Sequence, residues 1–307
     1  MLKRVLFTVF LLSASAVTAQ PNVAYLYVLG VAQDAGYPQV GCYKPHCMPG
    51  WEQPALRRGA TSIALIDPGT KTKTLFEATP SMPEQLYALE QEAPSDKYAF
   101  NGVFLTHAHM GHYSGLLFFG HEAMGANNVP VYAMPRMRAY LRANGPWSQL
   151  VEYNNIALQP LKHNHPVELA GTNVTPLLVP HRDEFSETVG YVISSAHKSA
   201  LFIPDINKWS VWETNIADII KTVDYALIDA TFYGESELPG RDMSKVPHPF
   251  VTESMSILGE LSSEQRNKVW FIHMNHTNPL LNANSDEAKY VRSKGFNIAV
   301  EGLRLPL

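Results

Sequence analysis

Cysteine is nearly absent: Cys42 and Cys47 are the only two in 307 residues. That is too few to build a disulfide scaffold. Positive charge is not in excess either, since 24 Lys and Arg stand against 28 Asp and Glu. The balance excludes the basic face of a nucleic-acid-binding domain. Repeats and low-complexity linkers are missing, which excludes solenoids and tail-like architectures. After the N-terminus no apolar run reaches the roughly 20 residues of a membrane span. Hydrophobic residues make up 46% of the chain, enough for a full core.

The N-terminus reads MLKR, then VLFTVFLLSASAV, with Val17-Thr18-Ala19 just before Gln20. A cationic start, a short apolar core and a small-x-small tripeptide form a secretory signal peptide. Residues 1–19 are therefore expected to be removed near Ala19. Residues 20–307 would then be exported to the periplasm, or secreted, as one domain.

Apolar, β-rich runs appear at Val23–Leu29, Ser62–Ile66, Thr74–Phe76, Val103–Leu105, Val129–Ala133, Val174–Val179, Val189–Ile193, Ala200–Ile203, Tyr225–Ile228, Val269–Ile272 and Asn297–Val300. Helical patterns fit Pro83–Glu90, His112–Met124, Pro135–Ala143, Trp209–Thr222, Val251–Ser262 and Ser285–Ser293. Interspersed strands and helices over one undivided chain predict an α/β fold of sheets covered by helices. The polar residues of interest cluster where the apolar runs stop, on loops held by a rigid scaffold.

The stretch THAHMGHYSG puts His107, His109 and His112 directly after such a run. His107 and His109, two apart on extended backbone, point to the same side and can share one ion. His112 lies too far along to join them and suits a second ion about 3.5–4 Å away. Other strand ends finish in the same way. VTPLLVPH ends in His181, ALFIPD in Asp205, and KVWFIH in His273, with His276 three residues later.

This ordered set resembles the metallo-β-lactamase superfamily, whose motif H-x-H-x-D-H is followed by a His, a bridging Asp and a final His. The resemblance implies an αββα sandwich with two metals at the edge between the sheets. His107, His109 and His181 would hold the first ion, His112 and His273 the second, and Asp205 would bridge them. The segments VLGVAQDAGYPQVGC, SIALID, THAHMGHYSGLL, FIPDINKW, ALIDATFY and HMNHTNPLL are similar to the pyrroloquinoline quinone biosynthesis protein B group. In that group the implied activity is oxidation of a tyrosine-bearing peptide precursor at an iron site. The present chain departs from it in keeping the His107/His109 pair and in carrying an export signal.

Gly111 departs from the superfamily motif, because it stands where the motif has Asp. Asp183 or Glu184, just past His181, would restore a carboxylate from another loop, or else both are solvated loop charges. Cys42, His46 and Cys47 lie close in sequence. With His276 they resemble the cysteine cluster of the phosphonate-pathway cyclic phosphodiesterase and would complete a structural Zn²⁺ site. The alternative is a Cys42–Cys47 disulfide. ALIDATFY followed by VPHPF resembles the proton relay of the tRNA-processing members. By that match Asp229 orients His248, which protonates a leaving group; otherwise the pair makes structural hydrogen bonds. His121, His163, His165 and His197 show no spacing logic and are expected on the surface.

The expected chemistry is hydrolysis of an ester, lactone, amide or phosphodiester in a small-molecule or peptide substrate. Zn²⁺ would lower the pKa of a water held by Asp205 from about 15.7 toward 7. Fe²⁺ or Mn²⁺ could take the same donors, and iron with open positions for O₂ would make the protein an oxygenase. A catalytically silent site would leave a periplasmic binding module for a quinone or peptide.

Overall fold

The computed structural model describes residues 23–307, so the expected leader at residues 1–19 lies outside the described residues. Two seven-stranded sheets form the centre. The first holds β1 (Tyr25–Gly30), β2 (Ser62–Asp67), β3 (Thr72–Phe76), β4 (Ala99–Phe104), β5 (Val129–Ala133) and β6 (Ile156–Pro160), with the late strand β14 (Arg304–Pro306) beside β1. The second runs from β7 (Val167–Leu169) through β8 (Thr172–Leu178), β9 (Val189–Ser194), β10 (Ser199–Ile203), β11 (Tyr225–Asp229) and β12 (Val269–Ile272) to β13 (Asn297–Ile298).

Strand alternation explains why the sheets stack. Successive side chains on a strand face opposite ways, and β2 sends Ile63 and Leu65 inward while Ala64 and Ile66 face outward. Phe76 and Phe104 of the first sheet meet Tyr191 and Phe202 of the second. Phe76 lies 5.5 Å from Tyr191 and 6.3 Å from Phe202, centroid to centroid. All four rings are fully buried. The outer face of the first sheet packs under the helices Met82–Glu92, Pro135–Ala143 and Trp147–Glu152 through Met82, Leu89, Met137, Leu141 and Leu150. The helices Ile216–Thr222, Val251–Leu258 and Asp286–Ser293 cover the second with Ile220, Val251, Leu258 and Val291. The layers are thus αββα.

Three expected helices are shorter than their patterns. After a single turn at Met110–Tyr113 the chain runs as a 3₁₀ segment, Ser114–Phe119. The cause is local: the His112 carbonyl accepts from Ala78 N at 2.9 Å, and Gly115 N donates to Ala78 O at 2.8 Å. Pairing with Ala78 uses groups that an α-helix would need, and it fixes His112 against the end of β3. Over Trp209–Thr222 the Asn215 side chain accepts from Ala217 N and starts a new helix at Ile216. Ser262 likewise caps a separate turn at Ser263–Arg266. Strands β6, β7 and β14 have no counterpart in the apolar pattern. Each is a sheet edge with one neighbour, where little apolar surface is needed.

Candidate metal centre

Beyond Phe104, before the chain returns to the first sheet at β5, it is bonded to the second sheet. Tyr191 donates its hydroxyl to the Leu105 carbonyl, Val189 N donates to Thr106 O at 3.1 Å, and Ala108 N donates to Ser186 Oγ at 2.8 Å. These bonds clamp the His107–His109 segment at the sheet edge, where β8, β10 and β12 also end. His107 is 1%, His181 9%, Asp205 3% and His273 0% exposed, so the convergence is an interior feature and not a surface coincidence.

Three imidazoles face one point. His107 Nε2 lies 2.9 Å from His109 Nδ1, and His181 Nε2 lies 3.2 Å from that same nitrogen. Asp205 Oδ2 is 3.4 Å from His107 Nε2 and 3.2 Å from His181 Nε2. Each ring uses its other nitrogen outward. His107 Nδ1 pairs with Thr106 Oγ1 at 2.8 Å, His109 Nε2 with Glu184 Oε2 at 3.0 Å, and His181 Nδ1 with Asn207 Oδ1 at 3.2 Å. Such partners orient a ligating ring and set its tautomer. Burial holds His107 and His109 below the usual histidine range. They are therefore neutral, the form that ligates.

A second set lies beside the first. His112 Nε2 is 3.8 Å from Asp205 Oδ2, so this one carboxylate touches both groups. His273 donates or accepts through Nδ1 with Thr231 Oγ1 at 3.0 Å. Its Nε2, both ring nitrogens of His112 and Asp205 Oδ1 are buried without a hydrogen-bond partner. A buried polar atom left unpaired costs about 1–3 kcal/mol. The Nε2 atoms of His112 and His273 are two such atoms beside the shared Asp205 carboxylate, so this donor set suits a metal. On the far side of His112, the fully buried Glu77 carboxylate lies 3.6 Å from Nδ1. Burial lowers the pKa of His112, but Glu77, Asp205 and Asp34 outweigh it and raise the ring to about 9.

Next to both sets, His248 Nδ1 faces Asp229 Oδ2 at 2.9 Å and Asp205 Oδ1 at 3.1 Å. Burial opposes its protonation, yet the two carboxylates raise it to about 10. Asp229 is itself fixed, accepting from Thr231 N and Thr231 Oγ1 at 2.7 Å each. His248 also lines a cavity of about 500 Å³ together with Asp34, Arg182, Arg241, Lys245 and Asn275.

Not every expected residue joins this centre. Asp183 accepts from Thr188 Oγ1 at 2.8 Å, and Glu184 holds the outer nitrogen of His109. Neither is placed on the second set, which corrects both as substitutes for the motif carboxylate. Cys42, His46, Cys47 and His276 do come together, with ligand atoms within 4.8 Å of one another. The structure joins Cys42 and Cys47 as a disulfide, however, which is the alternative to the zinc expectation. Bonded sulfurs carry no thiolate to offer an ion. His46 and His276 lie beside them, their rings tilted at 35° with centroids 5.4 Å apart, both kept below the usual histidine range first by burial. His121, His165 and His197 are exposed. His163 is half-buried, and its Nδ1 accepts from Leu178 N at 3.0 Å.

Asp34 and Glu77 escape the sequence reading. Asp34 follows the end of β1 by four residues, the same acid-after-strand signal that marks Asp205. Glu77 directly follows β3, in LFEATP.

Residues 65–274 match the family described as the beta-lactamase superfamily domain, and the chain belongs to that family. Within it, the chain is similar to coenzyme PQQ synthesis protein B of Xanthomonas oryzae pv. oryzae, at 24% identity over 306 residues. That alignment covers 92% of this chain and 99% of the relative. Among solved structures, Zn²⁺-bound PqqB from Methylobacterium extorquens shares the fold with a TM-score of 0.76 at 24% identity, covering 92% of this chain and all of that one. A diphosphatase from the PhnP family superposes with a TM-score of 0.63 at 23% identity, over 92% of this chain and 97% of that one. No helix among the described residues is long and apolar enough to cross a membrane.

Proposed function

We propose that this protein is an exported metal-dependent hydrolase acting on an anionic ester, with phosphodiesters and diphosphates as the favoured class. One observation carries the reading: Asp205 lies between both histidine sets through Oδ2 and contacts His248 through Oδ1. An ion held by these donors supplies Lewis acidity and a water-derived nucleophile near neutral pH. The protein's own share is positional. Asp205 accepts a hydrogen bond from the attacking water, and His248, held by Asp229, carries a proton toward the leaving oxygen. Arg182, Arg241 and Lys245 line the adjoining cavity, and guanidinium and ammonium groups suit a substrate with negative oxygens.

Export is supported by the N-terminal pattern at residues 1–19 and by a Cys42–Cys47 disulfide, a bond at home in oxidising compartments. Two measurements test the reading. Sequencing the N-terminus of protein from its native compartment is expected to begin near Gln20. A substrate panel with Zn²⁺- or Mn²⁺-loaded protein is expected to favour phosphodiesters and diphosphates over neutral lactones and amides. Turnover confined to neutral substrates would overturn the assignment, as would oxygen consumption with iron and no hydrolysis.

A further inference from the structure

The second histidine set has a gap at position 111. The motif's Asp precedes His112, and here that residue is glycine. The space its side chain would fill is not empty. A Cβ built on Gly111 would lie 2.4 Å from Asp34 Cα and 2.7 Å from Asp34 Oδ1. Neither approach is sterically tolerable, so a side chain at 111 and the observed Asp34 exclude one another. A carboxylate from the loop after β1 therefore stands where one from residue 111 would have stood.

Its geometry fits a ligand. Asp34 Oδ1 is 3.8 Å from His112 Nε2, and donor atoms of Asp34, His112 and His273 all lie within 4.8 Å of one another. With ligand bonds of about 2.0–2.2 Å, such separations surround a single ion. The two imidazoles are 1% and 0% exposed, and the Nε2 atoms of both have no hydrogen-bond partner. Other acids nearby are engaged elsewhere: Glu77 on His112 Nδ1, Glu184 on His109, Asp183 on Thr188.

The loop is built to hold this position. Gln33 N donates to Met274 O at 2.8 Å, Met274 N donates to Val31 O at 2.8 Å, and Ala32 bridges to both Ala60 and Met274. Met274 directly follows His273, so Asp34 and His273 hang from one backbone ladder. Both residues take left-handed backbone, φ 43° for Asp34 and 68° for His273. Such conformations are unfavourable for residues with a side chain and persist where surrounding structure imposes them.

We infer that Asp34 supplies the carboxylate ligand of the second ion, replacing the motif Asp from a different loop. The inference rests on the two-ion reading of the centre. Metal-free protein, its Asp34→Asn variant and its Asp34→Gly variant are to be titrated with Zn²⁺ by calorimetry, with bound metal counted after gel filtration. Asparagine keeps shape and tolerates the left-handed backbone, and glycine removes any strain there. The wild type is expected to bind two ions. Both variants should keep the tighter ion and bind the weaker one about tenfold less tightly or worse, since even an outer-shell partner typically contributes about 10–100-fold. His112→Ala is expected to weaken the same ion. Unchanged affinity for the second ion in both variants would overturn the inference. So would variants that melt lower without metal yet bind both ions as the wild type does. A wild type that takes one ion at every Zn²⁺ concentration would overturn the two-ion reading itself, a result distinguishable because it precedes any substitution.

Discussion

Asp229 Oδ2 lies 2.9 Å from His248 Nδ1 in a pocket where Asp229 is fully buried. The carboxylate is anchored by two bonds from Thr231 and one from Ile206 N, so it holds the ring in one orientation. His248→Ala should therefore lower kcat by about 10²–10⁴-fold on a substrate with a basic leaving group. With a nitrophenolate leaving group, which departs without a proton, the loss should be much smaller. KM and metal content are expected to hold. Equal losses on both substrates would assign the ring a structural role.

The two histidine sets should separate under substitution. Replacing His107, His109 or His181 with Ala is expected to remove the tighter ion and abolish hydrolysis, while His273→Ala should remove only the weaker one. All these rings end strands and contribute little to the apolar core, so thermal unfolding of metal-free protein should change little. Elemental analysis after dialysis checks the assignment. Full retention of metal in the first three variants would refute it.

Burial pushes Glu237 up to about 7, against the hydrogen bonds that Thr277, Tyr233 N and Asn275 offer its charged form. An unfolded Glu titrates near about 4.3. Between these values the folded state binds more protons than the unfolded one, so stability should fall as pH rises from about 4.5 to 7. Glu237→Gln should remove that slope. The readout is the difference in melting temperature between wild type and variant across the window, measured on metal-free protein. A constant difference from pH 4 to 8 would show that Glu237 ionises normally.

The Cys42–Cys47 pair closes a short loop, with a sequence separation of 5. Loop-closure entropy for so few residues gives roughly 2 kcal/mol. Replacing both cysteines with Ser should lower stability by about that much, whereas His276→Ala should be nearly neutral. The intact mass should be two hydrogens short of the reduced chain. Equal destabilisation by Cys42→Ser and His276→Ala, with bound zinc and full hydrogen count, would favour the thiolate centre.

Much of this centre could be read from the chain because its ligands follow apolar runs: His107, His109, His181, Asp205 and His273 each sit just past a strand. The strand pattern marks where a sheet stops, and a polar residue there faces the edge. Asp34 was hidden for a different reason. Its value depends on Gly111 having no side chain, a relation between residues that only the folded loop brings together. Glu184 shows the same limit: its place just past His181 in sequence fits either the second ion or a solvated charge, and the turn carries it to the outside of His109. The helix expected at His112–Met124 failed because periodicity does not reveal that Ala78 competes for the backbone of His112 and Gly115.

The ladder joining Gln33 to Met274 spans most of the chain, and β1 is flanked on its open side by β14. A growing polypeptide has His107 and His109 early, but it cannot present Asp34, His112 and His273 together until both distant segments have docked. Contacts of such long range form late, since chain closure has to precede their reward. The second ion position is therefore an outcome of folding rather than a template for it. Refolding in excess chelator should give the same sheets at the same rate, with Zn²⁺ entering afterward.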